Sequence, residues 1–214
     1  MAITLMLMVA RRAGEGEREL RAGGWTGWRP THMMGRRLSG RTLGIVGMGR
    51  IGRATARRAR LGFGMDIVFF NRSRLDDDEI RELGARQLDS VEELMQASDV
   101  ASVHCPGGGA NRHLVDARAI EALGDGILIN TARGDVVDMA ALIEALRHKR
   151  IAGAGLDVYE DEPAVPEVLR RMENVVLLPH LGSATVETRV AMGMMVADNL
   201  DAFFAGREPP NRVA

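Results

Sequence analysis

Residues 42–62 read TLGIVGMGRIGRATARRARLG. A short apolar run from Leu43 to Val46 has the character of a strand, and Gly47, Gly49 and Gly52 follow it in GxGxxG spacing. A stretch with small residues at helical intervals then closes the segment. In a strand–turn–helix context each glycine has a task. Gly47 permits the tight turn, Gly49 lets a pyrophosphate approach the backbone, and Gly52 lets the helix pack closely on the sheet. The helix opens at Arg50 and Ile51, where unpaired N–H groups and a partial positive charge face the phosphates. The triplet alone is weak evidence, but a second strand over residues 66–70 stands where a dinucleotide-binding unit requires one.

Working outward, apolar runs at 43–46, 66–70, 100–104, 126–130, 152–157 and 175–178 alternate with amphipathic stretches, which predicts an α/β fold. The runs LGIV and GILIN lack polar alternation, as expected of a doubly wound parallel sheet of Rossmann type covered on both faces. Pro163 and Pro166 mark a surface loop, and a helix over 185–204 precedes the terminal GREPPNRVA. The second strand of such a unit normally ends in an acid that binds the adenosine ribose. Here it ends in Asn71, Arg72 and Ser73. A guanidinium beside an amide and a hydroxyl suits a 2′-phosphate, so NADP is the expected cofactor, with NAD as the second choice.

The 214 residues carry 28 Lys plus Arg against 29 Asp plus Glu, a balance that attracts neither nucleic acid nor an anionic membrane. Aromatics at 4% leave little surface for stacking bases. The single cysteine, Cys105, cannot form an internal disulfide, and no Cys/His spacing suggests a metal. The opening run MAITLMLMVARR places its arginines after the apolar residues, which argues against a secretory signal. It is also shorter than the roughly 20 apolar residues that a membrane helix needs. These features predict a soluble protein of a reducing cytoplasm.

Three further stretches each place an ionisable residue after a predicted strand, where doubly wound folds bind ligands: INTARGDVVD with Arg133, GAGLDVYEDEP with Asp157 and Glu162, and LPHLGSAT with His180. One such residue is ordinarily structural or solvated; three on one rim call for a common explanation. In order and spacing these motifs, with GIVGMGRIG, resemble the D-isomer-specific 2-hydroxyacid dehydrogenases, and NRSR and GGWTGWRP look most like the glyoxylate and hydroxypyruvate reductase branch. The resemblance implies reduction of a small 2-keto acid, with Arg133, Glu162 and His180 as the catalytic set. In that scheme His180 delivers a proton, Glu162 stabilises its imidazolium and Arg133 binds the substrate carboxylate. It further implies that Asp157 and Gly182 lie near the nicotinamide carboxamide, and that Thr131, Cys105 and Pro106 line the cofactor cleft. The segment PGGGANR departs from the family's usual loop.

The resemblance also implies that residues 1–182 form the NAD(P)-binding domain, including an interface helix over 2–20. Residues 183–214 would return to a substrate lobe of about a hundred residues, a usual size for a small domain. That lobe has no counterpart in this sequence. A homodimer through the opening helix and the Trp25–Trp28 loop is expected. Two other readings stay open: a dehydrogenase for another 2-keto acid, of the phosphoglycerate dehydrogenase kind, and a non-catalytic dinucleotide-binding module.

Overall fold

In a computed structural model of the chain, which describes residues 1–75 and 77–212, helices α1 (Ala2–Ala10) and α2 (Ala13–Arg21) precede strand β1 (Thr42–Val46). There follow α3 (Arg50–Phe63), β2 (Asp66–Phe70), α4 (Asp78–Glu82), β3 (Arg86–Gln87), α5 (Val91–Gln96), β4 (Val100–Val103) and α6 (Ala117–Ala122). Then come β5 (Ile127–Asn130), α7 (Met139–Arg147), β6 (Gly153–Leu156), α8 (Glu167–Arg170), β7 (Val175–Leu177) and α9 (Val186–Phe204). The chain divides into two compact units, Met1–Pro179 and His180–Ala214.

In the first unit the described residues form one seven-stranded, all-parallel sheet in the order β3-β2-β1-β4-β5-β6-β7. The order reverses between β1 and β4, which is the crevice where doubly wound sheets bind ligands. The doubly wound class and the six strands expected from the sequence are therefore present. The seventh, β3, pairs only Arg86 and Gln87 with Val68 and Phe69, too few residues to show a periodicity.

Alternation along the strands builds two cores. Leu43, Ile45, Ile67, Phe69, Val100, Ile127 and Ile129 belong to one face, and Val46, Val68, Ala101, Val103 and Leu128 to the other. On the first face α3 contributes Gly52, Ala56 and Ala59, small residues that bring its axis close to the sheet. Its end is set by Gly64 in the left-handed region (φ 63°), whose N–H donates to the Arg60 carbonyl at 3.0 Å.

Beside α3 lies α1, and its burial explains the apolar opening run: Leu5 and Met6 are fully buried in this core. Strand β6 is shaped to receive it. A Cβ built on Gly155 would come within 2.9 Å of Leu5 Cβ and of Ile129 Cδ1, and one on Gly153 within 2.9 Å of Val9 Cγ1. The single helix expected over 2–20 is instead two helices. Arg12 turns left-handed (φ 54°) between them, and its guanidinium pairs with Glu15 at 2.6 Å. Helix α2 buries none of its residues.

In the second unit Thr185 caps α9, its hydroxyl accepting the Thr188 N–H at 3.2 Å. The helix buries only Ala202 and exposes Val190, Met194, Val196, Leu200 and Phe203. Beyond it the Asn211 N–H donates to Asn199 Oδ1 at 2.9 Å and folds the tail back on the helix. No helix among the described residues is long and apolar enough to cross a membrane.

The Gly155 contact gives a direct test. Gly155→Val is expected to cost about 1–3 kcal/mol by overpacking against Leu5 and Ile129, read as a lowered Tm in calorimetry. Gly62→Ala in α3, where a Cβ would meet open space, is expected to be neutral or to stabilise by about 0.5–1 kcal/mol.

Candidate active site

The site is assembled at the carboxyl ends of the strands. Gly47 follows β1 with φ 96°, and a Cβ there would lie 2.7 Å from the Cys105 nitrogen. Its own N–H donates to the Phe70 carbonyl at 2.9 Å, so one glycine ties the ends of β1, β2 and β4 together. Gly52 is shielded in turn, since its missing Cβ would run into the Gly47 carbonyl oxygen. Gly49 differs from both. A Cβ there would meet nothing within 4 Å, so this residue faces open space at the head of α3. Gly49 is also the N-cap of α3 and supplies no side-chain cap, whereas α4, α5, α6 and α7 are capped by Asp77, Ser90, Asp116 and Asp138. Bare N–H groups beside an open glycine fit a pyrophosphate. Of the two residues that open the helix, Ile51 is 65% exposed and Arg50 is exposed too.

At the end of β2, Asn71 Nδ2 donates to the Ser73 hydroxyl at 3.1 Å, and Gln87 Nε2 donates to the carbonyls of Asn71 and Ser73 at 3.1 and 3.0 Å. Gln87, on the short β3, thus braces the turn that carries Arg72; no sequence motif pointed to it. Arg74 is spent on Asp89 at 2.9 Å. Arg53 occupies Asp77 and Glu79, and it holds the Asp77 carboxyl down to about 2. Arg72 is exposed and makes no hydrogen bond or ion pair with the described residues. Asp76 lies outside them.

At the end of β4, Ser102 is fully buried and its hydroxyl lies 2.9 Å from His104 Nε2. The opposite nitrogen, Nδ1, is buried and has no hydrogen-bond partner among the described residues. Burial drives the His104 pKa down to about 4, so the ring is neutral at physiological pH. The next residue, Cys105, is half-buried, and desolvation pushes its thiol up to about 11. It is a thiol, not a thiolate nucleophile, in keeping with a lining role.

Buried Asn130 ends β5 and shapes the turn after it. Its Nδ2 donates to the Arg133 carbonyl at 2.9 Å, and its Oδ1 accepts the Ala132 N–H at 3.0 Å. Thr131 is half-buried within that turn. Arg133 is exposed; its Nη1 donates to the Ala132 carbonyl at 2.6 Å, which leaves the rest of the guanidinium fork for a carboxylate. Gly134 lets this turn pack on the Tyr159–Glu160 peptide, where a Cβ would overlap backbone atoms. After β6, Asp157 is buried at 1% exposure, and its N–H donates to the Asn130 carbonyl at 3.0 Å. Glu162 is exposed, with Oε1 accepting the Tyr159 N–H at 3.0 Å. The Tyr159 hydroxyl donates to the Leu178 carbonyl at 3.0 Å and fixes the chain leaving β7. His180 opens the second unit with a left-handed φ of 55°, and exposed Gly182 follows two residues later. Among the described residues no group of three or more His, Cys, Asp or Glu side chains could hold a metal ion.

Comparison with known proteins gives this arrangement a context. Residues 3–182 match the family model described as "D-isomer specific 2-hydroxyacid dehydrogenase, NAD binding domain". The chain is 47% identical over 218 residues to a glyoxylate reductase of Thermococcus litoralis, covering 100% of this chain and 65% of that protein. It is 47% identical over 215 residues to a glyoxylate reductase of Korarchaeum cryptofilum, covering 99% and 64%. A crystal structure of an NADPH-dependent glyoxylate/hydroxypyruvate reductase from Sinorhizobium meliloti, in complex with NADP and malonate, superposes with a TM-score of 0.91 at 42% identity, covering 100% of this chain and 65% of that one. The chain thus spans slightly less than two thirds of the length of these relatives.

The desolvated ring of half-buried His104 generates a pH prediction. Its folded pKa of about 4 lies below the ordinary 6.5, so the unfolded chain takes up the proton first. Stability is therefore intact above about pH 6.5 and falls as the pH descends towards 4, by up to about 3 kcal/mol. Urea titrations across that range are expected to show the slope in the parent chain and a much flatter profile in His104→Asn.

Proposed function

The chain belongs to the D-isomer-specific 2-hydroxyacid dehydrogenase family, and within it we propose a cytoplasmic reductase of small 2-keto acids, of the glyoxylate or hydroxypyruvate type, that prefers NADPH. The observation that carries this reading is the β1–α3 turn: open at Gly49, bare of side-chain caps and followed across the sheet by an unengaged Arg72. Gly47, Gly49, Arg50, Ile51 and Gly52 would hold the pyrophosphate, and Asn71, Arg72 and Ser73 the 2′-phosphate. Cys105, Pro106, Thr131, Asp157 and Gly182 would line the cleft towards the nicotinamide. The bound cofactor supplies a hydride to the substrate carbonyl carbon.

The remaining work falls to this chain's own side chains. Arg133 binds the substrate carboxylate through two parallel hydrogen bonds and orients the carbonyl. His180, as imidazolium, gives its proton to the carbonyl oxygen as negative charge develops there. Glu162 would supply the negative charge that balances the charge on His180 during the transfer. In this scheme residues 1–182 are the cofactor domain, and 183–214, with the apolar face of α9, return to a substrate lobe. Exposed Trp25 and Trp28, at 52% and 82%, would be buried in a homodimer.

NADPH oxidation with glyoxylate and with hydroxypyruvate, followed at 340 nm, tests the activity; cofactor binding without turnover would leave a dinucleotide-binding module. His180→Ala is expected to keep NADPH binding and to lose about 100-fold or more in kcat, whereas undiminished reduction would remove His180 from the mechanism. Arg72→Ala is expected to weaken NADPH binding about tenfold and to leave NADH binding unchanged, as measured by quenching of tryptophan fluorescence. Equal losses for the two cofactors would remove the 2′-phosphate role.

A further inference from the structure

Residues 106–113, between β4 and α6, include three consecutive glycines, two of them left-handed (Gly108 φ 75°, Gly109 φ 50°). A glycine-rich connection at the end of a strand is ordinarily loose. This one is tied through carboxylates to the turns that leave β5 and β6. The Gly108 N–H donates to Asp135 Oδ2 at 2.6 Å, and the His113 N–H donates to the Asp135 carbonyl at 2.8 Å. Farther along, Arg112 Nη2 donates to Glu160 Oε1 at 2.5 Å, and His113 Nε2 lies 3.3 Å from the same oxygen. Gly107 completes the fit. A Cβ there would lie 2.5 Å from Asp135 Oδ1 and 2.8 Å from Arg133 Cβ, so only a glycine lets the segment lie on the stem of Arg133.

The anchoring carboxylates are placed to matter. Asp135 stands two residues after Arg133 on the turn leaving β5, and Glu160 two residues before Glu162 on the loop leaving β6. We propose that Asp135 and Glu160 are positioning residues, which make segment 106–113 a strap that locks the loop bearing Arg133 to the loop bearing Glu162. The inference rests on the roles proposed for Arg133, in binding substrate, and for Glu162, beside His180, and extends them. The bonds to Asp135 Oδ2 and Glu160 Oε1 have charged acceptors and are stronger than the neutral bonds of an ordinary loop. Because both anchors act on one short segment, loosening one loosens the other's grip.

Amide hydrogen exchange on the full chain tests the strap without requiring turnover. Asp135→Ala is expected to speed exchange at Gly108 about tenfold, and Glu160→Ala to speed exchange at Gly108 as well, though it removes no bond from that amide. Asp135→Asn keeps an oxygen acceptor and is expected to restore most of the protection. In kinetics Asp135→Ala and Glu160→Ala are expected to raise KM for glyoxylate severalfold with kcat and Tm little changed, whereas Gly107→Ala, which displaces Arg133 itself, is expected to lower kcat and Tm as well as raise KM. Protection at Gly108 that ignores Glu160→Ala would mean two independent contacts and would overturn the proposal. So would an unaltered KM in active variants. If the parent chain neither binds NADPH nor reduces glyoxylate, the reductase reading fails while the exchange experiment still decides the strap.

Discussion

The turn at Gly47 passes so close to the backbone of residues 104–105 that no side chain fits between them, and the organisation of the cleft follows from that contact. It joins the carboxyl ends of β1 and β4 at the point where the strand order reverses, and through the Phe70 carbonyl it holds the end of β2 as well. With those three ends fixed, α3 must start at Gly49, its uncapped N–H groups directed over the crevice. Gly52 then allows the first turn of α3 to settle against the Gly47 carbonyl. Close approach of backbone to backbone, secured by missing side chains, sets the geometry before any polar residue contributes.

Polar residues enter as braces rather than as a network of surface ion pairs. Asn130 shapes the turn that presents Arg133, Gln87 shapes the one that presents Arg72, and Tyr159 holds the chain leaving β7. Each satisfies backbone groups that the ends of short parallel strands would otherwise leave without partners. Four of the charged or ionisable residues read as functional are by contrast exposed: Arg72, Arg133, Glu162 and His180. Rigid, satisfied braces beneath accessible charged groups are the arrangement a site requires if it is to meet its ligand without reorganising.

Much of this was legible in the sequence where the physics is local. GxGxxG after an apolar run specifies a turn because glycine is needed within a few residues, and strands buried on both faces betray themselves by continuous apolar runs. Features that depend on distant partners were hidden. Nothing in GAGL says that Gly153 and Gly155 are small to admit Val9 and Leu5, and the two-residue strand β3 has no pattern of its own. The break between α1 and α2 at Arg12 was missed because arginine is an ordinary helix former; only its left-handed conformation ends the run. Nothing in the sequence sets Asp135 and Glu160 apart from other acids, and it is the path of the 106–113 segment that gives them partners.

The bed of glycines in β6 also bears on how the chain reaches its native state. Helix α1 precedes every strand of the sheet in sequence, yet the strands it covers, β5, β6 and β7, lie near the far end of the first unit. Its contacts are therefore among the most distant in sequence that the fold makes, and pairings of that kind slow folding, because a long loop must close before burial rewards it. Leu5 and Met6 reach their burial only when β6 is in place beside them. The glycines that make the finished core tight thus tie the burial of a greasy helix to a strand far along the chain, and apolar surface that waits for a distant partner is the kind that favours association over folding.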